Sequence, residues 1–289
     1  MIKYNCNVCD RIYNEVIIHF TKKCPNNCPF CIDKKNVGVN SNKPNIMAIW
    51  NSLKQYASNI TDVTISGGEP FLYIKELYDL IKLIKNFTNL KISIVTSFPY
   101  QCTQEENKEI FNKICEAVDS IQISGGHFKK SKLEKLFGNK NISNYNRDYY
   151  LKCFPYKDKT ILSINTVKDI VDTKEDILDC IKYFNEIGYK NIKIAEMFDA
   201  DKYYVDISKI LGIKMKSPFS HGCKTTYNLN EILPECTGTL TIKRTCFLRT
   251  NCQKASFSDC FKMLTRYILK KEYFFGVIHE DGTIAPYWI

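Results

Sequence analysis

Strand-like and helix-like segments alternate along most of this chain. Six short runs of β-branched and apolar residues begin near positions 15, 62, 91, 120, 160 and 191. The stretches between most of them carry apolar residues at helical spacing. Such alternation predicts an α/β fold with a parallel sheet and right-handed helical crossovers. Six units are fewer than the eight of a closed (β/α)8 barrel.

The alternation stops near Gly212, and the sequence after it has a different character. Strand-like runs, a hairpin turn and a helical stretch near 257–270 predict a small C-terminal α+β Cys-rich cap over the barrel mouth. The expected domains are an N-terminal CxxC segment at 1–14, the barrel at 15–212 and the cap at 213–289.

Three cysteines occupy a loop directly after the first predicted strand. Cys24, Cys28 and Cys31 have the spacing C-x3-C-x2-C, and Phe30 precedes the third. Prolines in both gaps disfavour a helix there. Iron–sulfur clusters normally take four cysteines. A three-cysteine loop therefore leaves one iron of a [4Fe–4S] cluster open to a small molecule.

A second motif follows the next predicted strand, where Gly67, Gly68, Glu69 and Pro70 stand in succession. The two motifs, in this order and each after a strand, resemble those of the radical S-adenosylmethionine (SAM) superfamily. In that family the GGEP segment binds the amino group of the methionine moiety of SAM. The resemblance covers about residues 15–200, and the six strand–helix units fit the family's partial (β/α)6 TIM-like barrel.

The resemblance implies the cofactors and the chemistry. The expected cofactors are a [4Fe–4S] cluster on Cys24, Cys28 and Cys31, and SAM chelated to its open iron. One electron from a flavodoxin- or ferredoxin-type donor would cleave SAM. The 5′-deoxyadenosyl radical that results would abstract hydrogen from a substrate. Because the cofactor carries the difficult step, the protein positions the reactants and excludes water.

Polar residues at the ends of the predicted strands are the remaining site candidates, since active sites of such barrels form at the C-terminal strand ends. Phe30, Thr96, Ser124 and Asn165 are expected to bind the cofactor. His127 and Glu196 are expected to be catalytic. The alternatives are a solvent-facing position for the histidine, and strand-end capping or a surface position for Asn165 and Glu196.

The C-terminal segment holds a second set of metal-ligating residue types. Three assignments stay open for this set: zinc, an auxiliary iron–sulfur cluster, or no metal. The gaps between the cysteines are wider than the CxxC pairs usual for auxiliary clusters in the family. Cys6 and Cys9 could complete either metal site. The candidates are His221, Cys223, Cys236, Cys246, Cys252 and Cys260.

Composition and charge bear on the cellular location and on the partners of this chain. The chain has 289 residues, 14 cysteines and a net charge of +10. No apolar run is long enough to cross a membrane, and the N-terminus lacks a signal peptide, so a cytoplasmic protein is expected. Lysines are spread along the chain without an aromatic-interleaved basic patch. Nucleic acid is therefore not expected as a partner.

The motifs leave the substrate open. The stretch before Cys24 is shorter than the peptide-binding domain that peptide maturases of the family usually carry, which favours a small-molecule substrate. The size and the Cys/His-rich cap are similar to a lyase that cleaves queuine in 7-deazaguanine salvage. The alternatives are a peptide maturase with an auxiliary iron–sulfur cluster and another RNA- or protein-modifying radical SAM enzyme.

Overall fold

A computed structural model describes residues 4–6, 11–13, 15–31, 43–58, 60–142, 144, 146–197, 201–213, 224–243 and 277–285. The strands are β1 (Tyr4–Cys6), β2 (Arg11–Tyr13), β3 (Glu15–His19), β4 (Asp62–Ser66), β5 (Lys91–Thr96), β6 (Ser120–Ser124), β7 (Thr160–Asn165), β8 (Asn191–Ala195), β9 (Lys224–Asn228), β10 (Thr239–Lys243), β11 (Val277–His279) and β12 (Ile284–Ala285). The α-helices are α1 (Ile46–Leu53), α2 (Ile74–Phe87), α3 (Lys108–Ala117), α4 (Lys130–Phe137), α5 (Arg147–Cys153), α6 (Lys174–Glu186) and α7 (Ile207–Leu211). No helix in these ranges is long and apolar enough to span a membrane.

Ten strands form one sheet, in the order β12-β11-β3-β4-β5-β6-β7-β8-β10-β9. Strands β3 to β8 are parallel and adjacent in chain order, which confirms the predicted α/β fold and its six barrel strands. The antiparallel strands β9 and β12 lie at the two edges, so the sheet formed by the described strands is open. The carboxyl ends of the parallel strands all lie at the same end of the sheet, as the barrel prediction requires.

The C-terminal segment contributes strands at both edges of this sheet. Strand β10 pairs in parallel with β8, and β11 pairs in parallel with β3. Leu240 and Ile242 of β10 are fully buried, like the apolar residues of the barrel strands. The described strands beyond Gly212 thus extend the sheet that the earlier strands build. The domain boundary at 212 stays a prediction.

The barrel strands alternate between two environments. In β4, Val63 and Ile65 are fully buried, whereas the alternate residues Asp62, Thr64 and Ser66 are half-buried. Polar groups on neighbouring strands pair in the half-buried rows: the hydroxyls of Ser93 and Ser120 lie 3.0 Å apart. Alternation of this kind places an apolar face against the helices and a polar face opposite to it.

Local sequence patterns misrepresent parts of this fold. Thr103 and Glu106 have the spacing of a capping box, which is typical of a helix that begins near 103, but α3 begins at Lys108. The Thr103 hydroxyl instead donates to the Tyr100 carbonyl, 2.7 Å away, within a short 3-10 turn. The Asn- and Tyr-rich stretch 138–158 shows no helical period, which is typical of a loop, yet it contains α5.

Candidate active site at the carboxyl ends of the strands

The cluster loop, residues 20–31, leaves the end of β3. Cys24 is exposed, while Cys28 and Cys31 are half-buried, and none of the three is in a disulfide. The Cys31 N–H donates to the Cys28 carbonyl at 3.2 Å and closes a turn between these two ligands. Phe30, inside that turn, packs against the hydrophobic core. The loop thus carries three thiols close in sequence, and the aromatic residue before the third is packed against the core.

The GGEP segment contacts the cluster loop through the main chain. The Gly68 N–H donates to the Thr21 carbonyl at 2.6 Å, and the Glu69 N–H donates to the Lys23 carbonyl at 2.8 Å. A Cβ on Gly68 would lie well inside 3.0 Å of the Lys23 carbonyl oxygen, closer than real Cβ atoms approach. Glycine is therefore required there for the two motifs to touch.

The carboxylate of Glu69 is fully buried and ties the GGEP segment to the end of β5. It accepts hydrogen bonds from the Thr96 hydroxyl at 2.8 Å, and from the Ser97 N–H and hydroxyl at 2.7 and 2.6 Å. Burial raises the pKa of the Glu69 carboxyl, and the donated hydrogen bonds oppose that rise. Pro70 then begins a short 3-10 turn. Of the predicted cofactor residues, Glu69, Pro70 and Thr96 thus lie together.

The turn after β5 is held in an uncommon backbone conformation. Phe98 has a φ of 56°, which is rare for a bulky residue. Its N–H donates to the Thr96 hydroxyl at 2.9 Å, and its ring packs edge-on against Phe111 and Phe154. These contacts stabilise the conformation that presents Ser97 to the Glu69 carboxylate.

Arg147 is a buried residue at this end of the sheet that the sequence interpretation missed. Its guanidinium donates to the carbonyls of Ser97, Ser124 and Gly125, at distances between 2.5 and 3.2 Å. It thereby joins the ends of β5 and β6. The i,i+4 pair of Asp148 and Lys152 within α5 was a sequence signal for this helix.

The remaining candidate site residues also lie at the carboxyl ends of the strands. Ser124 and Asn165 end β6 and β7, and both are half-buried. The carbonyl of Ser124 accepts from Arg147 at 2.5 Å. Glu196, directly after β8, is buried, and its carboxylate accepts from the Ile207 N–H at 3.2 Å. That contact joins the end of β8 to the start of α7, and the catalytic role of Glu196 stays a prediction.

His127 is buried, which excludes the solvent-facing alternative. Its Nδ1 accepts from the Lys129 N–H at 2.9 Å, and its Nε2 lies 3.5 Å from a carboxylate oxygen of Asp176 on α6. Burial lowers the pKa of His127, while Asp176 acts in the opposite direction. These contacts join α4 to α6, and the catalytic role of His127 stays a prediction.

Most of the second set of metal candidates lies outside the described residues. This applies to Cys9, His221, Cys223, Cys246, Cys252 and Cys260. Cys6 ends β1, which pairs with β2 in a small hairpin. Cys236 is buried in the turn before β10, at the amino end of that strand, and burial raises the pKa of its thiol. That position, remote from the carboxyl ends of the strands, disfavours Cys236 as a ligand at the barrel mouth.

The cluster loop fits an iron–sulfur cluster better than a single metal ion. In the described part of the chain, no three His, Cys, Asp or Glu side chains converge as ligands of one ion. A cubane cluster does not need such convergence, because each cysteine binds a different iron. The donor set of Cys24, Cys28 and Cys31 suits such a cluster, with the GGEP backbone beside it, and the role of these cysteines as its ligands stays a prediction.

Comparison with known proteins agrees with this geometry. Residues 15–146 match the family described as a 4Fe-4S single cluster domain. SuiB of Streptococcus suis is 17% identical, with a TM-score of 0.56 over 95% of this chain and 60% of its own. The structure called anSMEcpe, with bound AdoMet and a peptide, is 14% identical, with a TM-score of 0.53 over 94% and 73%. The two structures show that this chain shares their fold, and the matched cluster-domain model spans both the cluster loop and the GGEP segment.

One relative found by sequence comparison is named as a GTPase. The chain is 30% identical over 201 residues to the GTPase Obg of Brachyspira hyodysenteriae, which covers 63% of this chain but 27% of that protein. The sequence contains no Gly-x4-Gly-Lys-Ser/Thr run, the loop that cradles nucleotide phosphates in P-loop enzymes. The match therefore gives no support for GTP hydrolysis here.

Proposed function

We propose that this chain is a radical SAM enzyme that cleaves SAM reductively and abstracts hydrogen from a substrate. The observation that carries the proposal is the direct main-chain pairing of the GGEP segment with the cluster loop at Gly68 and Glu69. Two motifs that are distant in sequence thereby meet at the carboxyl ends of β3 and β4. When bound, the cluster and SAM would supply a 5′-deoxyadenosyl radical, with an electron from a flavodoxin- or ferredoxin-type donor.

The residues of this chain would bind and orient those groups. Cys24, Cys28 and Cys31 would hold the cluster. The Gly67–Pro70 backbone would border the amino group of SAM, with Glu69 fixed by the end of β5. Ser124 and Asn165, half-buried at neighbouring strand ends, would contact the rest of the cofactor. Phe30 would shield the cluster from water.

For the substrate, we favour a peptide or protein side chain. Both SuiB and anSMEcpe have structures with bound peptide. Their folds match this chain over 95% and 94% of its length, so the likeness reaches into the C-terminal segment. This revises the preference that the sequence alone gave. In this proposal the undescribed cysteines beyond residue 213 would hold an auxiliary cluster.

Cleavage of a small molecule such as queuine is the competing proposal, with zinc on the C-terminal cysteines. A buried carboxylate at a strand end, Glu196, supports it. The guanidine-like edge of a deazaguanine carries N–H donors, and buried donors need acceptors.

One anaerobic experiment tests the activity and separates the two substrate classes. Iron, sulfide and zinc are measured in the purified chain and in a Cys24→Ala/Cys28→Ala/Cys31→Ala variant, and 5′-deoxyadenosine is measured after addition of SAM and dithionite. About eight irons falling to about four would support the peptide class, and about four falling to none with zinc retained would support the small-molecule class. An iron-free wild-type chain that forms no 5′-deoxyadenosine would refute the radical SAM proposal.

A further inference from the structure

The C-terminal turn of α4, Phe137–Asn139, lies against the part of the cluster loop that separates the first two cysteines. The Asn27 N–H donates to the Phe137 carbonyl at 2.8 Å. The Asn139 side-chain amide donates to the Pro25 carbonyl at 3.1 Å and to the Asn26 side-chain oxygen at 3.0 Å. Every residue between Cys24 and Cys28 is thus hydrogen-bonded to this one turn.

The backbone of the turn is built for close approach. Gly138 ends α4 in the left-handed conformation, with a φ of 56°. The N–H of Asn139 donates to the Glu134 carbonyl at 3.2 Å, which is the longer bond of a Schellman cap. A Cβ on Gly138 would lie well inside 3.0 Å of the Asn27 carbonyl oxygen. The loop and the turn can therefore meet only while residue 138 lacks a side chain.

The other contacts of α4 fix the position of this turn. Leu136 and Phe137 are buried in the core, and the Arg147 guanidinium lies 5.5 Å from the centre of the Phe137 ring. Lys132 forms an ion pair with Asp176 of α6. Helix α4 is thus held by Arg147 at the strand ends and by Asp176 of α6. Its C-terminal turn in turn holds the cluster loop in place.

From these contacts, we propose that the α4 turn is a positioning element of the cluster site. It sets the separation of Cys24 and Cys28 and so determines how firmly the cluster is held. The inference rests on the proposed function, because it assumes that the three cysteines bind a cluster. It assigns a role to Gly138 and Asn139, residues that neither cysteine motif nor GGEP motif includes.

Two glycines allow a matched test. Gly212 also ends a helix in the left-handed conformation, with a φ of 65°, but a Cβ there would meet nothing within 4 Å. Gly138→Ala and Gly212→Ala should therefore carry similar backbone strain, about 1–2 kcal/mol. Only the first substitution pushes on the cluster loop.

The readouts are the iron bound per chain, the rate at which a ferrous chelator removes that iron, and the electron paramagnetic resonance spectrum of the reduced cluster. We expect Gly138→Ala to release iron at least about tenfold faster than wild type, with an altered spectrum, while Gly212→Ala matches wild type. Equal release from both variants would overturn the positioning role. A wild-type chain without iron would refute the proposed function and this inference together, so the two failures are distinguishable.

A second pair of variants covers the case in which Gly138→Ala does not fold. Asn139→Asp keeps the oxygen that accepts from the Asn141 N–H at 2.9 Å but removes both donors to the loop. Asn141→Asp adds the same charge at an exposed position and keeps the oxygen that accepts from Asn144. Faster iron release from Asn139→Asp alone is the expected result, and equal rates in the two variants would contradict the proposal.

Discussion

At the scale of single residues, the site depends on hydroxyl groups that serve two partners. The Thr96 hydroxyl donates to Glu69 and accepts from the N–H of Phe98, whose φ is 56°. Thr96→Val keeps the shape of the side chain but leaves both partners buried without that bond. We expect the free energy of unfolding to fall by about 1–3 kcal/mol, measured by urea denaturation.

A surface threonine gives the control for this substitution. Thr226 on β9 is exposed, and its hydroxyl lies 3.1 Å from that of Thr241. Thr226→Val should change the free energy of unfolding by no more than about 0.5 kcal/mol. A similar small change for Thr96→Val would show that the Glu69–Thr96 contact does not stabilise the strand ends.

His127 should give the protein a pH-dependent stability. Burial lowers its pKa below the ordinary 6.5, against the opposing effect of Asp176. Below pH 6.5 the unfolded chain therefore binds a proton at this histidine more readily than the folded chain does. The stabilisation that neutral His127 contributes is fully present above pH 6.5 and is lost as the pH falls. In urea denaturation between about pH 5 and pH 8, His127→Asn should flatten that part of the profile.

Asp176, the carboxylate that faces this histidine, titrates outside that range. Its pKa is lowered from 3.8 despite its own burial, by the Lys132 and His127 contacts. A decline confined to pH values below 4 would belong to Asp176. If the profile of His127→Asn between pH 5 and pH 8 matches that of wild type, His127 is not the group responsible.

At the scale of elements, α5 connects two strand ends through one side chain. Arg147, its first residue, donates to the Ser97 carbonyl just after β5 and to the Ser124 and Gly125 carbonyls at the end of β6. Lysine cannot reproduce this planar set of donors, so Arg147→Lys should leave buried carbonyls without hydrogen bonds and cost more than about 2 kcal/mol in urea denaturation. Lys152→Met, which removes the charge of an exposed residue on the same helix, should cost less than about 1 kcal/mol. Equal costs would contradict the connecting role of α5.

The elements also show which parts of the fold the sequence could predict. The six barrel strands are regular β-branched runs, and each begins at the position that the sequence indicated. Helix α5 was missed because it has seven residues in an Asn- and Tyr-rich stretch, too short for a clear helical period. Its role depends on Arg147 reaching carbonyls on two distant strands, and no local pattern records such a contact.

The adjacency of the two motifs was also predictable from the sequence. Cys24, Cys28, Cys31 and the GGEP segment have fixed spacings, so their adjacency follows from the parallel sheet. The contacts of Asn139 with Pro25 and Asn26 join residues that are 114 and 113 positions apart in the sequence. Such contacts depend on the final packing of α4, which neither propensity nor motif spacing specifies.

At the scale of the whole molecule, the C-terminal segment joins the barrel at the strand that carries the cluster loop. Strand β11 pairs with β3, and the Glu280 carboxylate accepts from the Lys22 N–H at 2.8 Å, two residues before Cys24. The Glu280 carbonyl also accepts from the Asn45 N–H at 2.8 Å, just before α1. The end of the described chain therefore supports both the cluster loop and the first helix.

This arrangement predicts one cooperative unfolding transition. Ile278 of β11 and Ile65 of β4 are both fully buried in the same core cluster. Each Ile→Ala substitution should cost about 2–5 kcal/mol, and both should move the same single transition, followed by far-ultraviolet circular dichroism and tyrosine fluorescence. A separate cap domain would behave differently. Ile278→Ala would then shift the unfolding transition of the cap and leave unchanged the unfolding transition of the barrel, which Ile65→Ala would shift. Two transitions that respond independently would mean that the strands beyond Gly212 pair with the barrel sheet without folding as part of it.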